Sequence, residues 1–421
     1  ADTTFKSEFN SSQAVDVLAQ RPNMVILWAG YSFSWDYATP RGHQHAVEDV
    51  RRTLRTGAPG VTEGKEPQPG TCWTCKGPDV PRVMKEQGVA NFYKAPWSKW
   101  GDQIMNNVGC SDCHDSKTMD LKPARPALYE AWQRVGKDVN KATHQEMRSL
   151  VCAQCHTEYY FKGEGKYLTF PQDSGMTVEA MEKYYDAMNY KDYTHALSRA
   201  PILKAQHPGY EIHQMGIHGQ RGVSCADCHM PYMSKGGVKY TDHHIMSPLA
   251  NIERTCQTCH RQSAETLRQN VYERQRKCNE IRNRVENELA TAHIEAKFAW
   301  DKGATEAEMK PVLDLLRKSQ WRWDFAVASH GAAFHAPQEI MRILSHSLDF
   351  ANQARLKVAK VLARHGFTGD VPMPDISTKA KAQAYIGVDM KQKEADKEKF
   401  LNTVVPQWIK KAKAAGRAID L

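Results

Sequence analysis

No apolar run among the 421 residues approaches the roughly 18–20 that a membrane-spanning helix needs; the longest candidate, Met24 to Tyr31, is only core-sized. Blocks of like charge are missing too, and the dispersal of the basic residues argues against a nucleic-acid partner despite the formal charge of +9. There is no fixed repeat period. No charged-then-apolar leader precedes Ala1, so any secretory signal peptide is expected to have been removed already. With a quarter of its residues charged and 9% aromatic, the chain reads as globular rather than disordered, long enough for one large domain or two to three average ones.

Cysteine is where the sequence is rich. Ten of its 11 cysteines fall into five C-x-x-C pairs, far above chance. Four pairs run on into His: Cys110, Cys113, His114; Cys152, Cys155, His156; Cys225, Cys228, His229; and Cys256, Cys259, His260. The fifth reads Cys72, Cys75, Lys76. C-x-x-C-H is the attachment signature of haem c: the two thiols bond the haem vinyl groups, and the adjacent His reaches the iron. Zinc ribbons pair two C-x-x-C units at recurrent spacing and need no trailing His, and disulfides need none either. Covalent haem points to an extracytoplasmic compartment, with a bacterial periplasm the expectation. Each ferric haem c adds about −1 once its propionates are counted, which brings the charge to about +4 and removes the case for an anionic macromolecular partner.

The motifs occupy residues 72–260, a loop-rich region where haem would replace much of the aliphatic core. After His260 the pattern changes: proline is absent between Pro248 and Pro311, and Leu267, Val271, Cys278, Ile281, Val285 and Leu289 recur at spacings of three, four and seven. This predicts a long amphipathic helix ending near Gly303, a second over roughly Pro311 to Ser329 with Trp321 and Trp323, and a third from Pro337 to Gly366. The expected fold class is a mainly α-helical multihaem cytochrome, with a haem-packed region over 1–260 and long helices over 261–421 packing on it as one compact unit. Those helices offer either an intramolecular core or a dimer surface. The odd thiol, Cys278, reads as an inert buried residue.

A low-spin haem needs two axial ligands, and each C-x-x-C-H supplies one, so four more histidines are required from the 14 that remain. Lys76 is the departure from the pattern. Lys binds iron only as a neutral amine, which burial beside a cationic metal favours.

One C-x-x-C-K followed by four C-x-x-C-H and a helical C-terminal third resembles, over essentially the whole chain, the pentahaem ammonia-forming cytochrome c nitrite reductases. The resemblance implies five haem c groups, with catalysis at the Lys76 haem beneath a pocket of Arg55 (in TLRTGAP), Tyr159 (in HTEYYF) and His207 (in LKAQHPGY). It implies a calcium ion held by Glu158, the Tyr159 and Lys204 carbonyls and the Gln206 side chain. It also implies distal ligands: His43 for the His156 haem, His218 for the His260 haem, His243 for the His114 haem and His335 for the His229 haem. Spacing alone leaves His45 as an alternative to His43, and His244 to His243. The implied reaction takes nitrite to ammonium with six electrons and eight protons, the other four haems relaying electrons. The donor would be a soluble multihaem cytochrome or a membrane-anchored quinol dehydrogenase, and the assembly a homodimer. The rival readings are a pure electron carrier, a reductase of hydroxylamine, sulfite or tetrathionate on the same scaffold, and a zinc- or disulfide-stapled binding module.

Overall fold

A computed structural model describes residues 13–57 and 68–418; the outer ends of the two expected regions, residues 1–12 and 419–421, lie outside them. The fold is mainly helical, and its strands form only three two-stranded hairpins among the described residues.

Four long helices dominate the C-terminal part: α1 (Ala264–Asp301), α2 (Glu306–Ala328), α3 (Pro337–Arg364) and α4 (Met390–Ala414). At 1.5 Å per residue, α1 runs for about 57 Å. Ser263 caps its first turn by accepting from the Thr266 N–H, and Gly303, at φ +92°, breaks it off, as expected for a left-handed stop. α2 starts at Glu306, five residues before Pro311, because Thr305 and Glu308 form a reciprocal capping box there. Pro311 therefore sits in the second turn, where it forgoes a single backbone bond. α3 opens on Pro337, whose fixed φ suits the first helical position, and ends before Gly366 at φ +76°.

These helices pack through small residues. Ala292, Ala296 and Ala299 of α1 and Ala351 and Ala354 of α3 are all buried, which lets the axes approach closely. α2 and α3 are also joined by a reciprocal pair: Ser319 Oγ donates to the Ser347 carbonyl at 2.8 Å, and Ser347 Oγ returns the bond to Ser319 at 2.7 Å. Cys278 is buried on α1 with its thiol 3.9 Å from the Pro337 carbonyl, away from the ten motif cysteines.

Two apolar cores form, and neither respects position 260. The larger combines Leu18 to Ala29 and Tyr160 to Ile212 with the faces of α1, α2 and α3, including the fully buried Trp321 and Trp323. The smaller gathers Trp73, Phe92, Trp97 and Trp100 around Phe400 and Trp408 of α4. Trp408 lies so close to Gly101 that a Cβ there would stand 2.3 Å from the indole. The stretch from Ile217 to Ser263 is different: only Ser224, Ala226, Pro231, Ile252 and Thr255 are buried in it. That segment carries two C-x-x-C-H motifs and has almost no protein core of its own, as expected where covalently attached groups supply the packing.

The tightest of these contacts gives a stability test. Gly101→Ala should cost about 1–3 kcal/mol by overpacking against Trp408, read as a lowered melting temperature. Gly165→Ala, which meets nothing within 4 Å, should leave the melt unchanged.

Candidate functional site

Four of the five C-x-x-C segments are tied to one another by side-chain hydrogen bonds. Arg125, 1% exposed, donates from Nε to the Thr74 carbonyl at 2.5 Å and from Nη2 to Asp112 at 2.5 Å. It thus joins the Cys72–Lys76 turn to the Cys110–His114 turn. Gln154 donates to the Asp112 carbonyl at 2.6 Å, bringing in the Cys152–His156 segment. Arg148 and Gln145, from the helix His144–Ala153 leading into that segment, reach Asp227 at 3.1 and 2.7 Å, and Ser149 Oγ accepts from the Cys225 N–H at 3.1 Å. No two motif cysteines form a disulfide.

Each C-x-x-C-H histidine has a histidine from a distant segment about 6 Å away, and His156 has His207 beside it as well. Ring centres lie 6.0 Å apart for His43 and His156, 6.2 Å for His114 and His243, 6.2 Å for His218 and His260, and 6.3 Å for His229 and His335. A metal–imidazole bond of about 2 Å puts two ring centres about 6 Å apart when they ligate one ion from opposite sides. Spacing alone is not enough, since His207 and His330 also stand at 6.2 Å and neither follows a C-x-x-C. The four pairs differ in that each contains one motif histidine.

Ring orientation adds a second criterion. Nδ1 of His114 pairs with the Met119 carbonyl at 2.7 Å, of His229 with Met246 at 2.9 Å, and of His243 with Thr241 at 2.8 Å. A ring that donates from Nδ1 presents Nε2 as the metal-binding nitrogen. The ring pairs, not the Nδ1 contacts, separate the neighbours left open by spacing: His43 and His243 stand opposite motif histidines at 6.0 and 6.2 Å, whereas His45 Nδ1 stands 3.4 Å from Glu48 and His244, its side chain 84% exposed, pairs with Asp242 at 2.8 Å. Gly331 is required beside His335, because a Cβ at that position would come within 2.6 Å of the imidazole.

The Cys72–Lys76 turn is a 3-10 segment, Gly70–Cys75, seated on the tryptophan core: Trp73 stacks on Trp97 at 4.7 Å and donates to its carbonyl at 2.9 Å. Arg55, Tyr159 and His207 gather round it. Burial pushes the Cys72 thiol up to about 12, against the lowering charges of Lys76 and Arg55; Cys72 and Cys75 act on Tyr159, and Lys76 acts on His207. The Arg55 guanidinium lies 4.0 Å over the Phe33 ring and its Nε donates to Thr53 at 3.1 Å. His207 sits edge-on to His156 at 4.6 Å, and its Nδ1 is buried without a partner. Burial, followed by the neighbouring His330, pushes His207 down to about 3, so the ring is neutral near pH 7. Burial also drives the Tyr159 phenol well above its usual range, which keeps it a proton-bearing donor.

Glu158 is fully buried beside this pocket. One carboxylate oxygen accepts from the Gln206 and His207 N–H groups at 2.7 and 3.3 Å, the other from the Tyr185 hydroxyl at 3.4 Å. Gln206 Nε2 lies 3.3 Å from the Lys204 carbonyl, while the Lys204 ammonium turns away to Asp324 at 2.9 Å. Glu158, Gln206 and the Lys204 carbonyl therefore share one corner. Desolvation raises the Glu158 carboxyl well above its ordinary range, a cost that a divalent cation would relieve with the oxygen ligands it prefers. No group of three His, Cys, Asp or Glu residues able to hold a metal occurs among the described residues, so such an ion would rest on this mixed oxygen set.

Several residues around the pocket carry no sequence signal. Glu211 accepts from Thr157, from the Glu158 N–H and from Gln172, leaving one carboxylate oxygen buried without a partner. Asp192 accepts from the Lys204 N–H at 2.8 Å. Asp36, Phe33 and His330 likewise sit in ordinary sequence contexts, and only the fold brings them here.

The cytochrome c552 family profile matches residues 1–416. Proteins named cytochrome c-552 from Bacteroides thetaiotaomicron and Porphyromonas gingivalis are 72% and 68% identical, over 99% and 100% of this chain and 84% of each relative. Among solved structures, the cytochrome c nitrite reductase catalytic subunit of Desulfovibrio desulfuricans, described with two calcium sites, superposes with a TM-score of 0.76 at 31% identity, covering 88% of this chain and 79% of that one.

The ring pairings generate a discriminating pair of variants. His243→Met should change the spectrum of one low-spin haem, whereas His244→Met should leave every haem signal as it was. Electron paramagnetic resonance of the oxidised protein reads both.

Proposed function

Because the chain belongs to the cytochrome c552 family, we propose that it is an ammonia-forming nitrite reductase with five haem c groups, working at the Lys76 haem. The observation that carries the reading is that four motif histidines each face a partner histidine, while the one motif ending in Lys is instead surrounded by Arg55, Tyr159 and His207. Haem held by Cys72, Cys75 and Lys76 would supply the reducing electrons and an iron at which the substrate could bind.

The protein's own groups handle charge and protons. Nitrite is an anion, and Arg55 is a permanent cation whose planar fork can donate to both nitrite oxygens. Stacking on Phe33 limits the guanidinium's freedom, so little ordering is left to be done when substrate arrives. His207, held neutral by burial, can donate a proton from one ring nitrogen and recover one at the other. It thus passes the eight protons singly rather than storing charge. The Tyr159 hydroxyl is a further donor. Six electrons and eight protons convert one nitrite to ammonium and two waters, and a closed, donor-lined pocket retains partly reduced species between electrons.

In this reading His43, His218, His243 and His335 are the distal ligands of the relay haems. Glu158, the Tyr159 and Lys204 carbonyls and the Gln206 side chain hold one calcium ion, fixing the two loops that carry Tyr159 and His207. Periplasmic location, homodimerisation through the long helices and a cytochrome or quinol-dehydrogenase donor belong to the same proposal. None of the described helices is long and apolar enough to cross a membrane, in keeping with it.

Turnover of nitrite with reduced viologen, with ammonium quantified, tests the activity; nitrite consumption without ammonium would overturn it. Glu158→Ala should lose bound calcium and most of the nitrite reduction while keeping its full haem content. Unchanged metal content and turnover would remove the calcium site.

A further inference from the structure

The segment Arg51 to Gly57, which carries Arg55, is gripped by a helix from the far end of the chain. Lys397 of α4 is 4% exposed. Its Nζ donates to the Arg51 carbonyl at 2.9 Å and to the Thr56 carbonyl, bracketing Arg55. Phe400, one turn further along α4, presses on the same segment: a Cβ at Gly57 would stand 2.7 Å from its ring, and Gly57 takes φ +68°, so the chain must turn tightly there. Asp36 also holds this segment, accepting from the Thr53 hydroxyl at 2.9 Å and the Leu54 N–H at 3.0 Å. The Thr53 oxygen in turn accepts from Arg55 Nε at 3.1 Å.

A buried lysine is costly, and this one lies against two carbonyls rather than a carboxylate. Part of that arrangement is capping, since the Arg51 carbonyl lies in the last turn of the helix Ala46–Arg52 and has no partner within it. The Thr56 carbonyl lies beyond the helix end, so capping does not account for the second bond. Burial lowers Lys397 to about 7, yet a neutral amine still has two N–H groups, one for each carbonyl, so the clamp survives loss of the proton. Arg51 itself is pinned by the Gly101 and Ile104 carbonyls at 3.0 and 3.1 Å. The clamp therefore fixes the free end of the loop to an already fixed one.

We propose that Lys397 is a positioning residue for nitrite binding, holding the 51–57 loop so that the Arg55 guanidinium stays over Phe33 and faces the anion. This rests on Arg55 being the nitrite-binding cation, and the test separates the two claims. In haem-loaded Lys397→Met, haem content should be unchanged and hydrogen exchange across residues 51–57 should quicken. The nitrite KM should rise about 10- to 100-fold, the scale of a small misplacement, with a much smaller change in kcat. Hydroxylamine, which carries no negative charge, should be reduced at nearly the wild-type KM. Adding Lys397→Met to Arg55→Lys should cost little further, because both act on one interaction. A wild-type nitrite KM in Lys397→Met, equal loss with both substrates, or full additivity with Arg55→Lys would overturn the proposal while leaving Arg55 in place. Wild-type nitrite kinetics in Arg55→Lys would instead overturn the Arg55 reading and this one with it. Should Lys397→Met not accumulate, Lys397→Gln, whose shorter side chain withdraws the donor nitrogen from the two carbonyls, is read in the same way: a raised nitrite KM supports the clamp and an unchanged one refutes it.

Discussion

The constraint on which the rest of the structure depends is that two imidazoles from distant segments stand with ring centres 6.0–6.3 Å apart, four times over. A C-x-x-C-H motif brings only one of the two. The other must come from wherever the fold can deliver it: the turn before the helix Ala46–Arg52, the short helix Ile217–Gln220, the segment after the hairpin of strands Tyr232–Lys235 and Val238–Thr241, or the link between α2 and α3. Much of the chain's irregularity follows from this. The stretch from Ile217 to Ser263 gives up its own core, and buried polar side chains such as Arg125 and Gln154 take over the work of joining one attachment turn to the next.

The pocket at Lys76 follows a different rule. There no second histidine is supplied, and the surrounding groups are held by layers of support instead. Glu158 fixes the His207 and Gln206 N–H groups, Asp324 takes the Lys204 ammonium, and Asp36 and Lys397 hold the loop of Arg55. The backbone at Gln206 and His207 and the loop of Arg55 are thus held by ionisable groups that are themselves hydrogen-bonded.

How much of this was legible in the sequence depends on how local each signal is. The attachment motifs are contiguous, so they could be read directly. α1 and α3 could be read because their apolar stripes and terminal glycines obey local rules. The expected start of α2 near Pro311 falls late, because the Thr305–Glu308 capping box that begins the helix lies upstream of that proline. α4 was missed altogether: it is rich in lysine, carries Pro406 inside it and buries only Lys397, Phe400, Trp408 and Ala412, so its stripe is too sparse to register. Choosing between His43 and His45, or His243 and His244, needs ring orientation, which spacing does not encode. The corner formed by Glu158, Gln206 and the Lys204 carbonyl, and the Asp36–Lys397 brackets, join residues far apart in the chain and unremarkable in type. Only the resemblance pointed to the first, and nothing pointed to the second.

The claim from which the functional reading follows is that one haem differs from the other four in having Lys76 on one side and an open position on the other. Titrating the oxidised holoprotein with cyanide while monitoring the spectrum of each haem, after intact-mass determination of the haem number, tests it most directly. The account predicts five attached haems, one of which binds the anion while four do not respond. Four haems, or five that all ignore the anion, would contradict it and make the protein an electron carrier.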